Sequence, residues 1–233
     1  MSERFFITTQ PAGDRAVLEG DEARHLTRVL RAKVGDTVSL FDGRGREWPA
    51  RVASLGRDRV ELDTTEPTVD PVPVAIPLTL AVALPKGDRQ KWMVEKLTEL
   101  GTARLVPLET TRGVAEATAS AQVRLERVVI EACKQCGRNT LMEIAAGRPL
   151  ERLLAEVPAG ACVVIAHPGG RLLDAATMPP TATAMIALVG PEGGFTDEEL
   201  GTADRAGVIR ISLGPRILRV ETAAIALAAR FVG

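Results

Sequence analysis

The last quarter of the chain repeats one hydrophobic pattern: an apolar run, a glycine-containing loop and a helix. Residues 184–189 are an unbroken apolar run of strand length, which is typical of a strand buried on both faces of a parallel sheet. The loop 190–194, of sequence GPEGG, follows it. Thr196 and Glu199 then have the spacing of a helix capping box, and Gly207 is a natural helix stop. This segment is therefore predicted to be a strand, a loop and a helix.

The second copy of the pattern follows directly. Residues 208–213 are predicted to be a strand, residues 214–221 a loop, and Thr222 the cap of a helix that runs to Phe231. Glycine loops at the carboxyl ends of neighbouring parallel strands let a ligand approach the backbone. The pattern therefore predicts a ligand site at this edge of the sheet.

The second loop also carries three charges among apolar neighbours, at Arg216, Arg219 and Glu221. Such charges are costly unless they face a site or one another, so a functional role is favoured over a plain turn. The helix after them is nearly all apolar over residues 223–229, which suits either a core position or a subunit interface.

Upstream, apolar strands alternate with amphipathic helices from residue 78 onward. The strands are predicted at 78–84, 103–108 and 161–166, and the helices at 88–100 and 118–136. This alternation predicts an α/β fold with a parallel sheet.

The first 65 residues have a different texture. Short alternating runs at 37–42, 50–55 and 59–63, separated by turn signals, predict a small β-barrel, interrupted by one helix at 21–32. Four prolines in residues 66–77 predict a semi-rigid linker. We therefore divide the chain into domains 1–70 and 71–233.

Composition limits the classes of function. The chain has 45% hydrophobic and 25% charged residues, as in ordinary globular proteins, and no apolar run long enough to span a membrane. The first residues also lack the apolar core of a signal peptide, so a cytoplasmic protein without membrane partners is expected. Three cysteines are too few for a disulfide framework, and Cys133 and Cys136 lie in a predicted helix without a second pair for zinc, so no metal is expected.

Charge and aromatic content restrict how RNA could be recognised. The net charge is −1, aromatic residues make up 3% and tyrosine is absent, so stacking platforms are scarce and local Arg and Lys clusters must act instead. One such cluster lies in the predicted helix of the first domain: Arg24, His25, Arg28, Arg31 and Lys33. A solvated basic face and a phosphate-binding face are equally compatible with it.

Four further polar positions lie near predicted strand or helix ends. Lys86 and Arg89 flank a turn after the first strand of the second domain, as a phosphate-binding rim or as ordinary surface charges. Arg138 follows Gly137, a predicted helix C-cap, and either stabilises the helix dipole or reaches a site. His167 begins a third glycine loop, HPGG, at the ligand edge. The G-x-G-x-x-G and GK[ST] fingerprints are absent, so the residues alone predict a nucleotide-like ligand without identifying it.

Two motifs in the C-terminal region resemble those of a known family. The sequences LVGPEGGFTDEEL at 188–200 and LGPRILRVETAAIAL at 213–227 are similar to the signature of the bacterial 16S ribosomal RNA (uracil-N3)-methyltransferases, a branch of the knotted SPOUT methyltransferases. Supporting similarity extends over nearly the whole chain: RFFI at 4–7, HLTRVLR at 25–31, EKLTELG at 95–101 and EACKQCGR at 131–138.

The resemblance implies a PUA-like β-barrel RNA-binding domain over 1–70 and a SPOUT methyltransferase domain with helices on both faces of its sheet and a C-terminal trefoil knot over 71–233. It also implies a homodimer, 16S ribosomal RNA or the 30S subunit as substrate, and S-adenosylmethionine as cofactor. By likeness, the cofactor is held around His167, Leu188, Gly190, Gly193, Leu213, Gly214 and Leu218. The RNA-binding residues implied are Arg24, His25, Arg28, Arg31, Lys86 and Arg89.

Methylation at N3 of uridine requires that the N3 proton leaves and that the resulting charge is stabilised. Glu192 or Glu221 is a candidate for the first role, and Arg219 or Arg138 for the second. The structural alternatives are an ion pair of Glu221 with Arg216 or Arg219 and a helix-dipole contact for Glu192. Competing functions are a ribose 2′-O-methyltransferase of the same fold, a non-catalytic RNA-binding protein and, more remotely, a dinucleotide oxidoreductase.

Overall fold

The chain folds around two β-sheets, each within its own unit. The computed structural model describes residues 3–70, 76–114, 118–173 and 181–232. The first unit comprises Met1–Pro73 and Ile130–Leu141, and the second comprises Val74–Val129 and Met142–Gly233. The division thus falls within one long helix, and the domain boundary drawn at residue 70 stays a prediction.

The sheet of the first unit is mostly antiparallel. Its strand order is β1-β3-β4-β5-β2, with β6 also paired to β4, and only β1 and β3 run parallel. The strands are β1 (Glu3–Phe6), β2 (Arg15–Glu19), β3 (Thr37–Phe41), β4 (Arg46–Leu55), β5 (Arg59–Thr64) and β6 (Thr68–Val69). Alternate side chains of β2 and β5 are buried, and the core includes Phe5, Leu18, Leu40 and Leu62.

The helix predicted over residues 21–32 is shorter and changes type. Helix α1 spans Gly20–Arg24, and a π-helical turn spans His25–Val29. In this turn the N–H of Leu30 donates to the carbonyl of His25, five residues back, at 3.1 Å. Arg31 then adopts a φ of 54°, which ends the helix before the predicted residue 32.

The predicted linker is partly a strand. Thr68–Val69 forms β6, which pairs with Arg46 and Glu47 of β4. Residues 71–75 of the proline-rich segment lie outside the described residues.

The sheet of the second unit is parallel throughout, as predicted. Its order is β10-β8-β7-β12-β11-β13, with β9 paired to β8. The strands are β7 (Leu78–Val82), β8 (Arg104–Glu109), β9 (Glu143–Ile144), β10 (Arg148–Pro149), β11 (Ala161–Leu172), β12 (Ala184–Val189) and β13 (Ile209–Ser212). The helices are α2 (Asp88–Glu99), α3 (Ala119–Cys136), α4 (Leu150–Ala155), α5 (Asp197–Arg205) and α6 (Val220–Phe231), and the part of α3 from Ile130 onward belongs to the first unit.

Helix α6 returns from the edge strand β13 to the middle of the sheet. It packs against α2, β7 and β12, and Ala224, Leu227 and Ala228 are fully buried. The apolar face of α6 therefore contributes to the core of its own unit.

The start of α6 differs from the prediction. Arg219, rather than Thr222, is the N-cap, because its carbonyl accepts the first helical hydrogen bond from Ala223 N–H at 2.9 Å. Glu221 consequently lies in the first turn of the helix and not in the preceding loop. An earlier start buries Val220 within the unit, which outweighs the preference of threonine for the cap position.

Candidate active site

A cavity of about 360 Å³ lies at the carboxyl ends of β12 and β13, beside the middle of β11. Three segments line most of it, residues 166–168, 189–195 and 212–218, together with Val220 and Ala223 of α6. Its volume falls in the range of small-molecule sites, about 300–1,000 Å³. The ligand edge predicted from the glycine loops thus contains a cavity.

The loop after β12 is shaped by close contacts. A Cβ atom on Gly190 would lie 2.7 Å from the ring of Phe195, so only glycine fits without movement. The N–H of Gly194 donates to the carbonyl of Pro191 at 2.8 Å and closes the turn. Phe195, buried beneath this turn, also lines the cavity.

Helix α5 begins with the predicted capping box. Thr196 Oγ1 accepts from Glu199 N–H at 3.2 Å, and Glu199 Oε2 accepts from Thr196 N–H at 2.7 Å. Glu199 Oε1 also accepts from the N–H of Thr111, in the loop after β8, at 2.8 Å. Although partial burial raises the pKa of Glu199, the hydrogen bonds from Thr111 and Thr196 outweigh it and lower this pKa. The carboxylate therefore joins two loops at the same edge of the sheet.

The loop after β13 is the second wall of the cavity. Gly214 has a φ of 118°, a conformation that side chains disfavour, and its N–H donates to Ser212 Oγ at 3.3 Å. Arg216 and Ile217 line the cavity, and Ile217 is 89% exposed.

The third segment is a bulge and not a loop at a strand end. Ala166 and Arg171 both pair with Ile211 of β13, so the four residues between them bulge out while β11 continues to Leu172. His167 lies in this bulge, and its Nδ1 accepts from Gly169 N–H at 3.0 Å. The predicted end of the strand at His167 is thus wrong, although the residue does line the cavity.

The lining contains most of the residues assigned to the cofactor by resemblance: His167, Gly190, Gly193, Leu213, Gly214 and Leu218. Leu188 differs, because its side chain is fully buried within β12, and it supports the wall from inside the core.

Three charged side chains meet beside the cavity. Arg89 Nη1 donates to Glu192 Oε1 at 3.1 Å and lies 3.8 Å from Glu221 Oε2. Glu192 lines the cavity, whereas Glu221 is 5% exposed and its Oε2 has no hydrogen-bond partner among the described residues. The ion pair suggested for Glu221 with Arg216 or Arg219 is therefore replaced by one with Arg89, which sequence reasoning had assigned to RNA.

Arg112 was missed by the sequence analysis. Its Nη1 donates to the carbonyl of Gly193 at 2.7 Å, which fastens the loop after β12. The available signal was its place in the loop after β8, because carboxyl ends of parallel strands share one edge of the sheet.

The two arginines proposed to stabilise negative charge lie in different units. Arg219 is exposed at the start of α6, between Leu218 and Val220, which both line the cavity. Arg138 belongs to the first unit, where burial lowers its pKa and its carbonyl accepts from Arg4 Nη2 at 3.3 Å. Lys86 is exposed just before α2.

The basic cluster of the first unit is partly neutralised. Arg24 pairs with Asp21, and Arg24 and Arg28 both approach Asp58, at 3.7 and 3.8 Å. The hydrogen bond and charge of Asp21 raise the pKa of Arg24. Arg31 is exposed after the π-helical turn.

His25 lies with its ring edge-on to Phe5, with 6.1 Å between centroids. It lines a separate polar cavity of about 510 Å³ within the first unit, beside Arg4, Glu47 and Lys134.

The described ranges contain neither a metal-binding cluster nor a membrane-spanning helix. No cluster of three or more His, Cys, Asp or Glu side chains there is arranged to hold a metal ion. Among the helices of those ranges, none is both long enough and apolar enough to cross a membrane.

Comparison with family models gives two matches. Residues 72–232 match an RNA methyltransferase domain, and residues 18–64 match an RNA methyltransferase PUA domain. Several curated relatives bear the name ribosomal RNA small subunit methyltransferase E. The protein from Synechocystis sp. is 34% identical over 206 residues, which cover 87% of this chain and 67% of the relative. The protein from Mycobacterium tuberculosis is 33% identical over 231 residues, which cover 94% and 87%.

Solved structures with a similar fold are also methyltransferases. A ribosomal RNA small subunit methyltransferase E from Neisseria gonorrhoeae, bound to S-adenosyl methionine, has a TM-score of 0.90 and 29% identity, with 99% of this chain and 96% of that chain covered. A methyltransferase-type protein from Legionella pneumophila, in complex with the bound cofactor SAM, has a TM-score of 0.89 and 28% identity, with 99% and 97% covered. The predicted architecture, a methyltransferase domain with a parallel sheet preceded by a PUA-like domain, is confirmed.

Proposed function

The chain belongs to the RNA methyltransferase domain family, and from this premise we propose that it transfers a methyl group from S-adenosylmethionine to N3 of a uridine in small-subunit ribosomal RNA. The observation that carries the proposal is the 360 Å³ cavity, because the two glycine loops of the C-terminal motifs form its walls.

The residues of the cavity fit this cofactor. Apolar side chains such as Val189, Phe195 and Leu218 suit an adenine ring, while backbone groups of the loops at Gly190 and Leu213 are available for hydrogen bonds. When bound, the cofactor supplies an electrophilic methyl group on a cationic sulfur.

The carboxylates provide candidate acceptors for the N3 proton. Glu192 lines the cavity and is partly exposed, whereas Glu221 is buried in the first turn of α6. We therefore assign proton acceptance to Glu192, directly or through water, and a supporting role to Glu221. Arg219 is the proposed cation for the developing negative charge, because the residues on either side of it line the cavity. Arg138 stays a second candidate, supported by the family resemblance.

The test is methyl transfer to 16S RNA from a strain that lacks the modification. Labelled methyl should appear as N3-methyluridine in the digest, and Glu192→Gln should lower turnover by about 10²–10⁴-fold while S-adenosylmethionine still binds. Glu221→Gln and Arg219→Ala are measured in parallel. A product methylated on the ribose, recognised by its resistance to nuclease cleavage, would contradict the assignment to N3.

We also propose a cytoplasmic location and a homodimer, both supported by the family resemblance, with 16S ribosomal RNA or the 30S subunit as partner. The RNA contacts proposed are those of the basic cluster, Arg24, His25, Arg28 and Arg31, together with Lys86. Sedimentation is expected to give a mass of about twice the 24.8 kDa of one chain. A monomer at micromolar concentration would contradict the dimer.

A further inference from the structure

The loop 190–194 is held from outside the cavity by two arginines on other segments. Arg89, in the first turn of α2, donates to the Glu192 carboxylate at 3.1 Å. Arg112, in the loop after β8, donates to the Gly193 carbonyl at 2.7 Å. Neither arginine lines the cavity itself, but both bind residues that do.

Arg89 makes a second contact that an ordinary surface ion pair lacks. Its Nη1 lies 3.8 Å from Glu221 Oε2, an oxygen of a 6% exposed side chain without a hydrogen-bond partner among the described residues. A buried carboxylate is costly without a nearby cation. Arg89 compensates this charge while it holds Glu192, so one guanidinium joins the loop after β12 to the first turn of α6.

Arg112 acts on the backbone of the same loop. Its side chain also packs over Gly193, where a Cβ atom would lie 3.3 Å from Arg112 Cδ. The loop is therefore fastened at two successive residues, once through a carboxylate and once through a carbonyl.

We propose that Arg89 and Arg112 are positioning residues that clamp the cofactor loop. This inference rests on the proposed function. Arg89 sets the position of Glu192 relative to the reacting base, and Arg112 keeps the loop backbone in the shape that binds S-adenosylmethionine. Arg89 is then not a phosphate contact, which is the role that sequence reasoning gave it.

The experiment uses the full-length variants Arg89→Gln, Arg89→Lys and Arg112→Gln. Two controls are matched to them: Lys91→Gln removes an exposed cation from the same turn of α2, and Arg152→Gln breaks an exposed ion pair with Glu156 in the same unit. The measurements are cofactor affinity by calorimetry, kcat and KM with RNA, the salt dependence of RNA binding, and Tm.

Arg89→Gln should lower kcat by about 10–100-fold, because small displacements of a catalytic group are that costly, with the KM for RNA and the salt dependence unchanged. Arg89→Lys should recover part of kcat, since its ammonium group still supplies a cation between the two carboxylates. Arg112→Gln should weaken cofactor binding about tenfold, and both controls should behave as wild type.

Two results would overturn the clamp. The first is an Arg89→Gln variant with unchanged kcat but a higher KM and a salt slope reduced by about one, which marks a phosphate contact. The second is wild-type cofactor affinity in Arg112→Gln. An active wild type combined with either result refutes the clamp alone, whereas a wild type that neither binds the cofactor nor transfers methyl refutes the proposed function as well. If Arg89→Gln does not fold, the Arg89→Lys variant provides the test: a lower kcat with unchanged KM supports the clamp, and a higher KM with unchanged kcat contradicts it.

Discussion

Gly190 is the position in the cavity with the least room for a side chain. Since a Cβ atom there would lie 2.7 Å from the Phe195 ring, alanine must displace the ring or the loop, and both line the cavity. We expect Gly190→Ala to weaken S-adenosylmethionine binding at least tenfold, or about 1.4 kcal/mol, in a calorimetric titration.

Gly201, in α5 of the same unit, is the matched control for this prediction. A Cβ atom on Gly201 would meet only the end of the Arg205 side chain, at 3.4 Å. Gly201→Ala should keep cofactor affinity and stabilise the helix by up to about 1 kcal/mol. Equal affinity in the two variants would show that loop 190–194 does not hold the cofactor.

The cysteines provide a prediction on reactivity. Cys133 is buried, and burial raises its pKa to about 12, whereas Cys136 is exposed. Since the thiolate is the nucleophile, iodoacetamide at pH 8 should modify Cys136 first, and Cys133 only after unfolding, as followed by mass spectrometry. A Cys136→Ser variant that is modified at Cys133 at the same early rate would contradict this.

At the scale of elements, the capping box of α5 supports both stability and the site. The folded pKa of Glu199 is lowered, so its contribution is present above the unfolded-state pKa of about 4.3 and is lost as pH falls through the lower folded value. Glu199→Gln should therefore destabilise the protein at pH 7 and flatten the loss of stability below pH 4. Denaturant unfolding at pH 7 and pH 3 measures both effects.

Glu198, an exposed neighbour in the same turn, is the control for Glu199. Glu198→Gln changes the charge near the helix start equally but leaves the bonds to Thr111 and Thr196 in place. If stability falls with pH in the same way in both variants below pH 4, the loss of stability is due to the helix dipole and not to these hydrogen bonds.

The elements predicted most accurately are those whose defining pattern lies entirely within their own residues. Strand β12 has its predicted bounds, because a strand buried on both faces is an uninterrupted apolar run. The two-residue strands β9 and β10 were not predicted, because so short a segment shows no periodicity. The bulge in β11 was also hidden, since it is defined by the register with β13 and not by its own sequence.

The same distinction holds for the candidate site, where features that are local in sequence were predicted and long-range contacts were not. The glycine loops after β12 and β13 were predicted, because each follows its strand in the sequence, whereas the HPGG segment is a bulge within β11. The contacts of Arg89 with Glu192 and of Arg112 with Gly193 join residues 103 and 81 positions apart, and no local pattern encodes such a pairing. Sequence reasoning therefore located the cavity walls and missed what fastens them.

At the scale of the whole molecule, the net charge of −1 means that overall electrostatic attraction cannot drive RNA binding. Acidic and basic residues number 30 and 29, so phosphate binding has to come from local groups. In the basic cluster of the first unit, Asp58 approaches both Arg24 and Arg28 and competes with phosphate for them. Asp58→Asn should therefore increase RNA affinity at low salt and steepen its dependence on salt by up to about two units, at about 0.7–0.9 for each added phosphate contact.

Asp63 separates this local effect from a change in total charge. It pairs with Arg15 at 3.4 Å in the same unit and makes no ion pair with the basic cluster among the described residues, and Asp63→Asn changes the net charge by the same amount. RNA binding is measured between about 50 and 200 mM salt for wild type and both variants. A steeper slope in Asp58→Asn alone assigns Arg24 and Arg28 to phosphate. If the salt dependence of RNA binding is equal in the two variants, Asp58 does not compete with phosphate for Arg24 and Arg28. The cluster is then an ordinary solvated basic face.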